Sequence, residues 1–202
     1  MTGAFVVALM ALRDMPPGYI GNFQLGEWGE KATARALKPL LREGWHAIHD
    51  LQNEYGNIDH VLIGPGGVFL LDSKWIEGEA EISDDGLIVR RIEDSDLTYT
   101  NHQGLGKRMR GAAKGLHTRI RESSRINEWV CAVVVIHGRF AAEPQTVQKV
   151  TYVGLDKLVD FLRSQPVRLT PAHIDRLAAQ VVSAYAAEAF VLRPSEQARI
   201  TG

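Results

Sequence analysis

The chain has a single cysteine, Cys131, so it can form neither an intramolecular disulfide nor a cysteine-rich zinc site. A reducing, cytoplasmic setting is the expectation. Net charge is also nearly absent: 24 acids stand against 23 bases, a formal -1. That balance excludes a globally basic coat for gripping nucleic acid, while leaving room for a local basic patch. Long hydrophobic runs are missing too. The apolar stretch Ala4 to Leu12 falls short of the roughly 18–20 residues of a membrane span. No Lys or Arg precedes it, as one would in an export signal. It reads as a docking helix or strand. Internal repeats and low-complexity segments are not found.

What is present suits a globular protein. Of 202 residues, 45% are hydrophobic and 23% charged, which argues against disorder and fibrous repeats. The length suits one domain with a helical appendage. The expected division is an apolar N-terminal segment over 1–20, closed by the Pro16-Pro17-Gly18 break, a core over 21–153, and a helical region over 154–202.

Along the core the periodicities alternate. Ala32, Ala36, Leu37, Leu40 and Leu41 give Gly26 to Glu43 a helical spacing, with Pro39 expected to interrupt it. Glu27 and Glu30 then fall in that helix's first turn, where favouring the positive end of the helix dipole would account for either of them. Extended runs follow over Trp45 to Leu51, Asn57 to Gly64 and Gly67 to Trp75, with a shorter edge strand over Gly86 to Arg91. Helical spacing returns from Asn101 to Ser124. Trp129 to Ile136 is nearly all apolar and β-branched, as suits a strand covered on both faces. A weak strand over Lys149 to Val153 precedes closing helices over Leu155 to Arg163 and Pro171 to Ala189. Helix, sheet and helix make an α/β sandwich.

The chemistry concentrates in one hairpin. Gly64-Pro65-Gly66-Gly67 is a turn signal, and no Lys-Ser or Lys-Thr follows it to make a phosphate cradle. With residues 64–67 as the loop, Ile63 faces Val68, and the same register carried outward sets Asp59 opposite Asp72. Both fall on one face with Val61, Ile63, Val68, Leu70 and Lys74, while Leu62, Phe69 and Leu71 occupy the other. Opposed carboxylates lie about 4.5–5.5 Å apart at Cβ and repel each other. A hard divalent cation with oxygen ligands would offset that repulsion, and a neighbouring lysine can position a water or stabilise phosphate charge. An acid two residues before a lysine is expected about once by chance in a chain of this composition, and it occurs once. The motif alone therefore proves nothing; the register of the second aspartate gives it weight. The plain alternative is two polar strand ends in solvent, screened by Lys74.

Charge placement points the same way. Seven bases, Lys107, Arg108, Arg110, Lys114, Arg119, Arg121 and Arg125, stand against Glu122 alone over 107–125. Such a helix could follow a nucleic-acid backbone without reading sequence, or simply present a solvated outer face. Residues 72–96 carry nine acids against three bases and are not expected to touch a polyanion. Cys131 reads as a buried strand residue. His46 and His49 read as structural, and His60 should face away from Asp59 toward a covering helix.

Glu30 in Gly26-Glu27-Trp28-Gly29-Glu30, then Ile58-Asp59-His60 and the run Gly67 to Lys74, resemble the nuclease-related domain (NERD) family of the PD-(D/E)xK phosphodiesterase superfamily. The resemblance covers roughly residues 26–105. It implies a restriction-endonuclease-like mixed β-sheet flanked by helices and a metal-dependent nuclease site. In that site Glu30, Asp59 and Asp72 serve as acidic ligands and Lys74 as the catalytic cation. Ile58 stands where the superfamily's name has proline, and Asp72 replaces the more frequent glutamate. Of an Asn-Pro-x-x-Gln element that members often carry, the stretch Tyr99 to Gln103 retains Gln103, a further candidate. The expectation is hydrolysis of phosphodiester bonds in nucleic acid, DNA first, with Mg²⁺ or Mn²⁺. Contacts to the strand are expected from Lys107, Arg108, Arg110 and Lys114. The rival is a non-catalytic nucleic-acid or protein binding module on the same fold.

Overall fold

The computed structural model describes residues 17–53, 56–93, 96–124, 126–140 and 142–197. The apolar stretch Ala4 to Leu12 lies outside them, as does Arg125. Helix α1 runs from Pro17 to Ala36 and α2 from Lys38 to Arg42. Pro17 opens α1 with a preset φ and no N–H to satisfy. The break at Leu37 puts Pro39 in the first turn of α2, where its missing donor leaves no bond unmade. The helix thus begins nine residues before Gly26. Glu27 and Glu30 sit about three turns inside it, beyond the reach of the terminal dipole. A dipole preference therefore does not explain them.

Strands β1 (His46–Asn53), β2 (Gly56–Gly64) and β3 (Gly67–Ser83) form an antiparallel meander. Next come β4 (Gly86–Glu93), β5 (Asp96–Asn101), helix α3 (Leu105–Ser124) and β6 (Val130–Arg139). The chain continues through β7 (Gln145–Val147), β8 (Val150–Gly154), a 3₁₀ turn at Leu155–Lys157, α4 (Leu158–Arg163) and α5 (Pro171–Gln197). β6 lies parallel to both β3 and β8, so the eight-stranded sheet is mixed, in the order β1-β2-β3-β6-β8-β7. β4 and β5 extend it from the far half of β3. This is an α/β fold of the restriction-endonuclease-like type.

Three departures from the sequence reading have local causes. β3 runs eight residues past Trp75, because its second half pairs with β4. β5 occupies residues 96–101, so α3 starts only at Leu105, after Gly104 at φ +75° turns the chain. β7 is a three-residue edge strand too short to show a period.

The alternation in β2 and β3 divides the core in two. Val61, Ile63, Val68 and Leu70 join Met109, Leu116 and Ile120 of α3 and Ile174, Leu177 and Val181 of α5. Leu62, Phe69 and Leu71 join Leu37 and Leu40 on one side and Leu158 and Leu162 of α4 on the other. Trp45 covers the turn so closely that a Cβ on Gly64 would lie 2.0 Å from the indole. Among the described residues no helix is long and apolar enough to cross a membrane.

Candidate active site

The β2–β3 ladder runs from Gly64–Gly67 out to His60–Leu71 and stops there. Its register sets Asp59 beside Asp72 at the next position. There the hairpin's own hydrogen bonding is replaced by a side chain: the Ser73 N–H donates to Asp59 Oδ2 at 2.8 Å. Lys74 Nζ lies 2.6 Å from Asp72 Oδ2, both side chains being largely covered. The aspartates and Lys74 share one face because they occupy positions of the same parity in a pleated hairpin.

Electrostatics follow from this crowding. Asp59 is 8% exposed, and its carboxyl is pushed up to about 7. Burial is the main cause and the charge of Asp72 the next, against the Ser73 N–H and Lys74, which pull it down. Glu30 is raised as well, first by burial and then by Asp50, with Asp72 adding and Lys74 opposing. Glu30, Asp59, Asp72 and Lys74 therefore share one field, although α1, β2 and β3 supply them separately.

Asp50 belongs to the same surroundings and escaped the sequence reading. It occupies the β1 position between the His49–His60 and Leu51–Ile58 pairs, beside Asp59, with its backbone left-handed at φ +57°. Aspartate tolerates that conformation, but nothing in the local sequence announces it. His102 was missed for the same reason. Its imidazole is lowered by burial and by the charges of Lys74 and Arg108, and raised by Asp72. Its backbone N–H is tied to the Leu87 carbonyl at 2.9 Å.

The basic residues separate into two kinds. Arg108 borders a pocket with Asp72, Asn57, Ile58, Leu105 and Met109, so the opening of α3 faces Asp72. Lys107 and Lys114 are exposed. Arg110 instead pairs with Asp85 at 3.0 Å. Gln103 is exposed in the turn before α3 and makes no hydrogen bond to Asp59, Asp72 or Lys74.

Behind the acids lies a buried polar chain. Thr33 Oγ1 is 2.8 Å from Ser73 Oγ and 2.9 Å from His137 Nε2, joining α1, β3 and β6. His60 faces α1, away from Asp59, with its Nδ1 2.7 Å from His49 Nδ1. Burial and the neighbouring ring lower it to about 4. His46 bonds Asp175 at 2.8 Å. Cys131 is partly buried on β6, and that burial raises its thiol.

The donor set bears on which ion could bind. Among the described residues no three His, Cys, Asp or Glu side chains are gathered into a metal cage. Two hard carboxylates forced together, one of them holding its proton to about 7, are what a divalent oxygen-seeking cation would relieve. The residues fit Mg²⁺ or Mn²⁺ completed by water and substrate oxygens, rather than a soft or fully protein-bound metal.

A restriction-endonuclease-like sheet with acids and a lysine at the broken end of its central hairpin defines the class. The family model of the nuclease-related domain matches residues 25–137, more than half of the chain, and the protein belongs to that family. No curated protein and no solved structure matches it.

Proposed function

We propose that the protein hydrolyses phosphodiester bonds in nucleic acid, with DNA as the first substrate to test and Mg²⁺ or Mn²⁺ as cofactor. The observation that carries this reading is the buried Asp59 carboxyl, raised to about 7 beside Asp72, with Lys74 2.6 Å from the latter. Asp59 and Asp72 would hold the cation, and Glu30 would complete or support that shell through water. The bound ion would neutralise phosphate charge and acidify a coordinated water. Lys74 would exchange its contact with Asp72 for the attacking water or a phosphate oxygen. Attack at phosphorus breaks the bond to the leaving oxygen, which takes up a proton. Lys107, Arg108 and Lys114 would attract the strand without reading its sequence.

One gel tests the reading. Linear, circular and single-stranded nucleic acids are incubated with the protein, with and without Mg²⁺ or Mn²⁺. Cleavage is expected only with metal, and Asp72→Ala and Lys74→Ala are expected to abolish it while remaining folded. Unchanged cleavage in both variants refutes the assignment. Salt-sensitive binding with no cleavage under any metal favours a non-catalytic binding module.

A further inference from the structure

Of the four tryptophans only Trp45 is buried; Trp28, Trp75 and Trp129 are 58%, 39% and 48% exposed. Singly exposed apolar residues are ordinary, so exposure alone assigns none of the three a role, and their surroundings must distinguish them. Trp75 follows Lys74 directly. Its ring lies nearly parallel to that of His137, with centroids 6.1 Å apart and planes 15° from each other. His137 is 3% exposed and is held by Thr33, which in turn holds Ser73. Gly29 passes so near that a Cβ there would sit 3.6 Å from His137 Cδ2. One side of the Trp75 indole is therefore fixed against a clamped ring, while the rest of it meets solvent.

The sheet gives this indole access to the acids. Glu79 pairs with Arg90 of β4 on one edge and with Arg139 of β6 on the other, while Val68 to Leu71 pair with both β2 and β6. β2 and β4 thus share an edge of β3. Among the described residues no strand pairs with that edge between Leu71 and Glu79. A β3–β6 bulge falls in the same stretch, between Trp75 and Glu79, and bulges commonly re-aim side chains beside a site. Asp72 and Lys74 project to one face of this open edge, Ser73 and Trp75 to the other. A nucleotide crossing the edge can present its phosphate to the first face and its base to the second.

Charge decides which part of the nucleotide meets the indole. Glu77, Glu79 and Glu81 follow Trp75 along β3, and Arg90 pairs with the latter two; three acids against one base leave an acidic excess, a poor surface for phosphates but no obstacle to a neutral base. The phosphates belong on the other face, toward Arg108. Every base has a π-face, so stacking on an aromatic platform does not depend on sequence.

We propose that Trp75 is a stacking platform for an unpaired base next to the scissile phosphate. The substrate is accordingly a single strand, flap or frayed end rather than a continuous duplex. This deepens the phosphodiesterase reading and rests on it for the position of the scissile bond.

The test is fluorescence anisotropy with labelled single-stranded DNA, single-stranded RNA and blunt duplex, in EDTA and in Ca²⁺, alongside cleavage in Mg²⁺. Single strands of either sugar are expected to bind at least about tenfold tighter than blunt duplex. Trp75→Ala should lose about tenfold in single-strand affinity and leave duplex binding unchanged. Trp75→Phe should recover most of the loss with an unaltered melting temperature. Trp129→Ala serves as a control, since that indole sits against His117 at the opposite end of β6, and it should bind like the wild type. Wild-type single-strand binding in Trp75→Ala, or blunt duplex bound as tightly as single strands, overturns the platform. Trp75-dependent binding without metal-dependent cleavage sinks the nuclease reading instead and leaves the platform standing.

Discussion

The Ser73 backbone N–H donates to the Asp59 carboxylate at 2.8 Å, at the position where the β2–β3 ladder ends. A donor freed by the open strand edge is thereby satisfied by an acid from the neighbouring strand. The bond also fixes Asp59 beside Asp72, a repulsive arrangement that neither residue would adopt in isolation.

Asp59→Asn is expected to stabilise the fold, more strongly at alkaline pH. The sign follows from linkage: the folded carboxyl, at about 7, lies above its unfolded value. Its contribution is fully present below the unfolded value and is lost as pH rises through 7. Asparagine carries no such penalty, and its Oδ1 can still accept from Ser73. Between pH 5 and pH 8 the variant should gain about 2–3 kcal/mol relative to wild type. Urea melts at the two pH values measure it, and a gain independent of pH would show that Asp59 ionises normally.

Mn²⁺ or Mg²⁺ is expected to raise the melting temperature of the wild type but not of Asp59→Ala. At a hundredfold excess over its dissociation constant, an ion bound only by the native state contributes about 2.7 kcal/mol. Because Asp59 must release its proton to bind, apparent affinity should fall about tenfold per unit as pH drops below 7. Calorimetric scans at pH 6 and pH 8 with and without metal read both effects. Equal shifts in wild type and Asp59→Ala would remove Asp59 from the ligand set.

Thr33→Val should cost about 1–3 kcal/mol, since it leaves Ser73 Oγ and His137 Nε2 buried without their shared partner. Thr33→Ser, which keeps the hydroxyl, should cost less than half as much. Denaturant unfolding compares them, and equal losses in both would assign the effect to the methyl group rather than to the polar chain.

The hairpin was legible because its determinants are local. A Gly-Pro-Gly-Gly turn fixes the register, and the pleat's period of two then puts Asp59, Asp72 and Lys74 on one face. Glu30 was legible as a residue but not in its setting: the start of α1 at Pro17 removed the dipole explanation. Asp50 and His102 stayed hidden because a left-handed backbone residue and a turn preceding a helix leave no periodic trace. Arg108 and Arg110, two positions apart on one helix, looked equivalent until Asp85 engaged one and the pocket beside Asp72 took the other.

By itself the sequence determined the α/β class, the two faces of the hairpin and the acid–lysine pattern, since alternation and turn chemistry act over a few residues. Tertiary structure alone decided that Asp59 keeps its proton to about 7, that Thr33 bridges to His137 across 104 residues, and that Trp75 stands beside an open strand edge. Burial, field and ladder interruption are sums over whatever distant segments the fold brings together, and no local window of residues contains them.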